Sequence, residues 1–156
     1  LFIGSSPIDF DTIKYNGKCV WPELCNFNIN DHIKNNINKI GISLNLDTHA
    51  QPGSHWVTLF IDIKNKFIFY FDSNGDEAPK EVVKLIDRII NQCNENNIDI
   101  KVLETEIEHQ YQNNECGIYS LYFCDKLIKN DSNYKNFIDK KISDEEMIEY
   151  RDKFFN

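Results

Sequence analysis

Residues 55–72 constrain the fold more than any other stretch of this chain. Val57, Leu59, Ile61 and Ile63 fall at every second position, and Phe67, Phe69 and Phe71 do the same. A period of two is the signature of β-strands, so His55–Ile63 and Lys66–Asp72 are expected to pair as a hairpin with Asn65 at its turn. The hairpin sets His55 at the start of one strand and Asp72 at the end of the next. In an antiparallel pair those ends lie side by side, although the two residues are seventeen positions apart.

A second stretch, Gln110–Tyr122, reads QYQNNECGIYSLY. Tyr119, Tyr122, Phe123 and Leu127 recur at helical steps behind Cys116-Gly117, and the polar Asn113-Asn114-Glu115 is the loop leading in. Cys116 therefore stands at a helix N-terminus, where unpaired N–H groups and the helix dipole favour a thiolate.

The rest of the chain alternates helical and extended signals. Leu1–Asp11 reads as an irregular or short extended lead-in. Trp21–Leu24 opens a short helix with Pro22 in its first turn. Asn30–Ile40 is expected to be a helix capped by Asn30 or Asp31, with Ile33, Ile37 and Ile40 on one face. Ile42–Leu46 alternates like a strand, and Pro52-Gly53 marks a turn. After the turn Ser73–Asp76, Pro79–Asn94 is an amphipathic helix with Val82, Val83, Leu85, Ile86, Ile89, Ile90 and Cys93 inward. Ile98–Leu103 is a further strand, and the Cys116 helix is expected to run to about Lys129. Ser143-Asp144-Glu145-Glu146 is a capping box opening a last helix through Phe155. This is an α+β pattern of one domain, residues 1–156. Its first residue is Leu1 rather than methionine, which reads as a domain cut from a longer protein.

Charge and composition exclude several classes. With a net charge of −8, a pI near 4.9 and no basic cluster beyond Lys140-Lys141, a nucleic-acid partner is not expected. No apolar run reaches membrane-spanning length, so no membrane association is expected. The five cysteines form no CxxC, and their odd number without a signal peptide points to reduced thiols inside a cell, in cytoplasm, nucleus or a virion. Cys19, Cys25, Cys93 and Cys124 are then structural thiols. Asn130-Asp131-Ser132 matches a glycosylation sequon and is read as incidental. His32, His49 and His109 have no ligand spacing, so no metal and no cofactor are expected; His109 could help to position Gln110. A monomer is expected.

Taken singly, the candidate residues are ordinary. A lone cysteine such as Cys116 is more often buried and inert, a strand histidine such as His55 is common, and an aspartate such as Asp72 often caps a turn. Together they fill a mechanism. A cysteine nucleophile needs a base, the base needs an orienting acceptor, and the tetrahedral intermediate needs donors for its oxyanion. Cys116, His55 and Asp72 supply the first three. The Gln110 amide and the Cys116 N–H supply the donors.

The arrangement resembles the ubiquitin-like-protein-specific protease superfamily, which includes the SUMO proteases and the adenovirus and large-DNA-virus processing proteases. Carrying the likeness are Gly53-Ser54-His55-Trp56-Val57, Tyr70-Phe71-Asp72-Ser73 and Gln110 followed six residues later by Cys116-Gly117-Ile118-Tyr119. The likeness covers roughly residues 45–129. It implies a papain-like α+β fold with a central mixed sheet flanked by helices and the nucleophile at a helix N-terminus. It also implies the roles: His55 as base, Asp72 as its orienter, Cys116 as nucleophile, Gln110 at the oxyanion. Trp56 matches a tryptophan that walls a narrow passage for a glycine tail, and Gly117 leaves room for a substrate backbone. The SUMO-protease motif Trp-Leu-Asn-Asp is reduced here to Asn28-Ile29-Asn30-Asp31, without its tryptophan; Trp21 is the candidate to replace it. Pro7–Phe10 and Asn45–His49 look more like the viral branch. The reading is a cysteine endopeptidase acting after Gly-Gly or Gly-X in a viral polyprotein or core protein. A SUMO or ubiquitin-like-protein isopeptidase is the alternative, with a related acetyltransferase effector and an inactive binding module behind it.

Overall fold

The structure, a computed structural model, describes residues 1–112, 114–130 and 133–155. Asn113 of the loop before Cys116, and Asp131 and Ser132 of the sequon, lie outside the described residues. Five strands form one mixed sheet in sequence order: β1 (Phe2–Pro7), β2 (Lys39–Asn45), β3 (Trp56–Asp62), β4 (Phe67–Phe71) and β5 (Lys101–Glu104). The outer pairs, β1 with β2 and β4 with β5, are parallel; the inner pairs are antiparallel. The 55–72 hairpin is thus the centre of the sheet, with Leu59 opposite Tyr70 and Phe60 opposite Phe69.

Both faces of that hairpin are buried. Val57, Leu59 and Ile61 of β3, with Ile68 and Tyr70 of β4, face one core together with Leu24 of α1 (Pro22–Cys25), Ile29 of α2 (Ile29–Lys34) and the apolar side of α3 (Lys80–Glu95). Phe60, Phe67, Phe69 and Phe71 face the other. There they meet α4 (Cys116–Ile128), α5 (Asn136–Asp139) and α6 (Asp144–Phe155). Phe123 of α4 is the hub of this second core, stacked on Phe71 with ring centres 4.5 Å apart and edge-on to Phe60, Phe69 and Phe137. Gly41 of β2 lets α4 approach closely, since a Cβ there would stand 2.6 Å from Cys124 Sγ.

Three local expectations are corrected. The helix expected over 30–40 is only Ile29–Lys34, capped by the Asn28 side chain accepting from Asn30 N at 3.0 Å. Asn36 turns the chain at φ +58°, and Ile40 pairs with Ile61 in β2. Long-range strand pairing overrides the local helical spacing of the isoleucines. In α3, Val83 is exposed, because it lies about 100° around the helix from Val82, while Ile90 packs against the core as expected. Finally, Cys19 and Cys25 are disulfide-bonded rather than free. The Ile13–Cys19 bridge turns the 12–21 segment back onto the end of α1, bringing the two Cα atoms to 6.3 Å. An odd cysteine count therefore did not mean an all-reduced chain; Cys93, Cys116 and Cys124 are the free thiols.

The last helix opens as its sequence requires. Glu146 N donates to Ser143 Oγ at 3.3 Å and Ser143 N to a Glu146 carboxylate oxygen at 3.0 Å, a reciprocal capping box. No helix among the described residues is long and apolar enough to cross a membrane.

Candidate active site

The open end of the β3–β4 hairpin, residues 105–112 and the N-terminus of α4 converge on one point. Thr58 pairs with Phe71, so Asp72 lies one step beyond the ladder and His55 sits diagonally across from it. The distance closes at 2.7 Å between His55 Nε2 and Asp72 Oδ1. Asp72 is fully buried and is fixed twice more: its Oδ1 accepts from Asn74 N at 2.8 Å, and its Oδ2 from the Tyr70 hydroxyl at 3.5 Å.

With Nε2 turned to Asp72, the other ring nitrogen is the one left to address Cys116, and the two groups lie close enough to shift each other's proton affinity. Burial opposes charge on His55, but Asp72 and Cys116 outweigh it and raise its pKa to about 10. Burial likewise opposes a Cys116 thiolate, yet the interaction with His55 and backbone contacts with Trp56 and Gly117 bring its pKa below the ordinary thiol value. The two shifts point in opposite directions and describe an imidazolium–thiolate pair. α4 is tied to β3 beneath the site, where Ser120 Oγ donates to Trp56 O at 3.2 Å and Thr58 Oγ1 to Ser120 O at 3.4 Å.

Gln110 is buried and anchored to the residue after Asp72. Its Oε1 accepts from Ser73 Oγ and its backbone N–H donates to Ser73 O, both at 2.8 Å, while Nε2 donates to Gln112 O. An amide nitrogen carries two hydrogens, and the bond to Gln112 uses one of them. Ser73 thus holds Gln110 in place; the sequence placed it in a turn and at the end of the Tyr70–Ser73 likeness, with no role assigned to it. Asp144 is a second anchor. Its carboxylate accepts from Tyr111 N at 3.1 Å, Gln112 N at 3.0 Å and the Tyr119 hydroxyl at 3.0 Å, holding the loop from the head of α6. His109 does not turn towards Gln110. Its Nδ1 accepts from Ile142 N and its Nε2 faces Phe137 O, both at 3.1 Å, so it fastens the loop to the α5–α6 segment.

Trp56 is a shared wall. On one side lies a cleft of about 410 Å³ that contains Cys116, Gly117, Leu121 and Phe155. On the other is a smaller hollow of about 210 Å³, which Trp56 shares with Trp21, Asn45, Asp47 and Gly53. The loop rimming the hollow is internally bonded: Ser54 Oγ donates to Asp47 Oδ1 at 2.7 Å, and Asn45 Oδ1 accepts from Asp47 N at 2.9 Å. A Cβ on Gly117 would touch the Trp56 ring at 3.7 Å, an ordinary contact. No group of three or more metal-ligating side chains occurs among the described residues.

Residues 26–156 match the model of the Ulp1 protease family, C-terminal catalytic domain. The chain belongs to that family. A protein of African swine fever virus named SUMO-1 cysteine protease S273R is 36% identical over 126 residues, covering 79% of this chain and 46% of the viral protein. The crystal structure of the African swine fever virus pS273R protease superposes with a TM-score of 0.82 at 28% identity, over 99% of this chain and 60% of that one. The yeast Ulp1 protease domain in complex with Smt3 shares the fold, with a TM-score of 0.53 at 21% identity over 92% of this chain and 59% of its own. The chain spans about half the length of the curated relative it matches. The α+β architecture with a central mixed sheet, expected from the sequence, is the family's fold.

Proposed function

We propose that this chain is the catalytic part of a cysteine endopeptidase that cleaves after glycine, with His55, Asp72, Cys116 and Gln110 as its machinery. The observation that carries the reading is His55 held between buried Asp72 and Cys116 at the first residue of α4. The Cys116 thiolate attacks the scissile carbonyl, forming a C–S bond and moving the carbonyl electrons onto oxygen. Gln110 Nε2 and the Cys116 N–H hold that oxyanion. As the C–N bond breaks, the His55 imidazolium gives its proton to the leaving amine. Neutral His55 then takes a proton from water, whose oxygen attacks the thioester and releases the acid.

Trp56 and Trp21, lining one hollow, suit a substrate tail without side chains. A flat indole wall discriminates by excluding any Cβ, and this favours Gly-Gly or Gly-X as the sequence cleaved. The substrate in this reading is a viral precursor polyprotein. A second reading, removal of a ubiquitin-like protein, is favoured by the same glycine passage and by the name of the African swine fever virus relative.

The deciding experiment exposes native protein and Cys116→Ala to a ubiquitin-like protein that ends in Gly-Gly and bears a cysteine-reactive C-terminus. In parallel, peptides containing Gly-Gly-X are assayed for cleavage. An adduct on the native protein alone, with slow peptide cleavage, favours the ubiquitin-like substrate. Peptide cleavage without an adduct favours polyprotein processing. If neither occurs and Cys116 is no more reactive than Cys93 and Cys124, the peptidase reading fails.

A further inference from the structure

Glu115, the residue before the nucleophile, raises a problem that the mechanism above does not address. It occupies the N-cap position of α4, is buried, and its side chain makes no capping hydrogen bond. A carboxylate so close to Cys116 repels a thiolate and favours the thiol. Something must offset it.

The compensating charge comes from the far end of the chain. Arg151 Nη2, on α6, lies 2.9 Å from Glu115 Oε2 and donates to Asn114 O at 3.2 Å. Among the described residues no hydrogen bond reaches Glu115 Oε2, so Arg151 meets it as a neighbouring charge and not as an aligned donor. Arg151 also lines the cleft that contains Cys116. It is one of only two arginines in the chain, and the other, Arg88, is spent on the carbonyls of Leu24 and Cys25.

We propose that Arg151 is a positioning residue for the nucleophile: it neutralises Glu115 and pins the turn 114–115, so that the Cys116 thiolate forms beside a compensated charge. The inference rests on the reading of Cys116 as nucleophile. The groups facing this point are His55 and Asp72 from the hairpin, Glu115 on the loop, and Arg151 and Asp144 from α6. Asp144 is committed to Tyr111, Gln112 and Tyr119. β2 brings only Ser43 to the cleft, and β1 only Phe2 and Ser5.

The test is the rate of Cys116 alkylation by iodoacetamide against pH, read by peptide mass so that Cys93 and Cys124 do not interfere. It needs no substrate. In Arg151→Ala the midpoint of the profile is expected to rise by about one pH unit, which is about tenfold less thiolate at a pH below both midpoints. Arg151→Lys restores part of the shift, because a point charge replaces the fork. Glu115→Gln in the native background lowers the midpoint, and the double variant Glu115→Gln, Arg151→Ala returns it towards the native value. A purely structural role would leave the double variant as perturbed as Arg151→Ala, and that outcome overturns the proposal. So does an unchanged midpoint in Arg151→Ala. If Arg151→Ala does not fold, an unmoved midpoint in Glu115→Gln overturns it alone. His55→Ala is the control for the parent reading: if its midpoint matches the native one, the His55–Cys116 pair itself is wrong, whatever Arg151 does.

Discussion

At the scale of single residues, the assigned roles separate by which experiment feels them. In the proposed mechanism the second Nε2 hydrogen of Gln110 is used only as charge develops on the substrate oxygen, so its loss belongs in the transition state. Gln110→Ala is expected to lower kcat about 10²–10³-fold with little change in KM. Alkylation of Cys116 by iodoacetamide, which makes no oxyanion, should stay at the native rate. A parallel drop in alkylation would mean that Gln110 merely supports the loop. Gly117 makes the complementary case. Its added Cβ meets Trp56 at ordinary contact distance, and alanine is the better helix former by roughly 1 kcal/mol. Gly117→Ala should therefore melt no lower than the native protein yet lose kcat/KM on glycine substrates, because the methyl group intrudes on the substrate rather than on the fold. Unchanged kcat/KM would remove Gly117 from the substrate path.

At the scale of elements, the site depends on how closely α4 lies on β2 and β3. Gly41 is the narrowest point of that packing, with Cys124 Sγ where its Cβ would be. Gly41→Ala is expected to cost roughly 1–3 kcal/mol, as overpacking does. In a Cys124→Ala background, where the sulfur is gone, most of that cost should vanish. Urea denaturation of the four proteins measures it; equal costs in both backgrounds would show that the strain lies elsewhere. The elements that position the site were legible because their signals are strong and local. Val57 to Ile63 and Phe67 to Phe71 alternate, α4 has its helical aromatic spacing, and Ser143 and Glu146 announce α6. What stayed hidden depends on contacts between distant segments. Ile40 has a helical spacing with Ile33 and Ile37 but is claimed by Ile61. Cys19 and Cys25 look like free thiols until a loop brings them together. Neither Ser73 nor Arg151 has a role readable from the sequence, and only the folded chain sets them against Gln110 and Glu115.

At the scale of the whole molecule, the imidazolium–thiolate pair couples the site to stability through pH. His55 has an ordinary value of 6.5 and a folded value of about 10. Its contribution is fully present below 6.5 and is lost as pH rises through 10. Cys116 has an ordinary value of 9.0 that the fold lowers. Its contribution is present above 9.0 and is lost as pH falls through the depressed value. Above both 6.5 and the depressed Cys116 value, and below 9.0, the folded pair holds one proton, on His55, and the unfolded chain also holds one, on Cys116. The two slopes cancel there, and the pair loses stability as pH climbs from 9.0 through about 10. Cys116→Ala removes one half of the balance. Asp72 still raises His55, so the stability that His55 contributes should decay from pH 6.5 upward with nothing to offset it. All other titrating groups are common to the two proteins and drop out of the difference. The melting temperature of the native protein should therefore gain on that of Cys116→Ala as pH rises from the depressed Cys116 value to 9. A constant gap over that range would mean that no ion pair forms, and that Cys116 rests in the folded protein as an ordinary thiol.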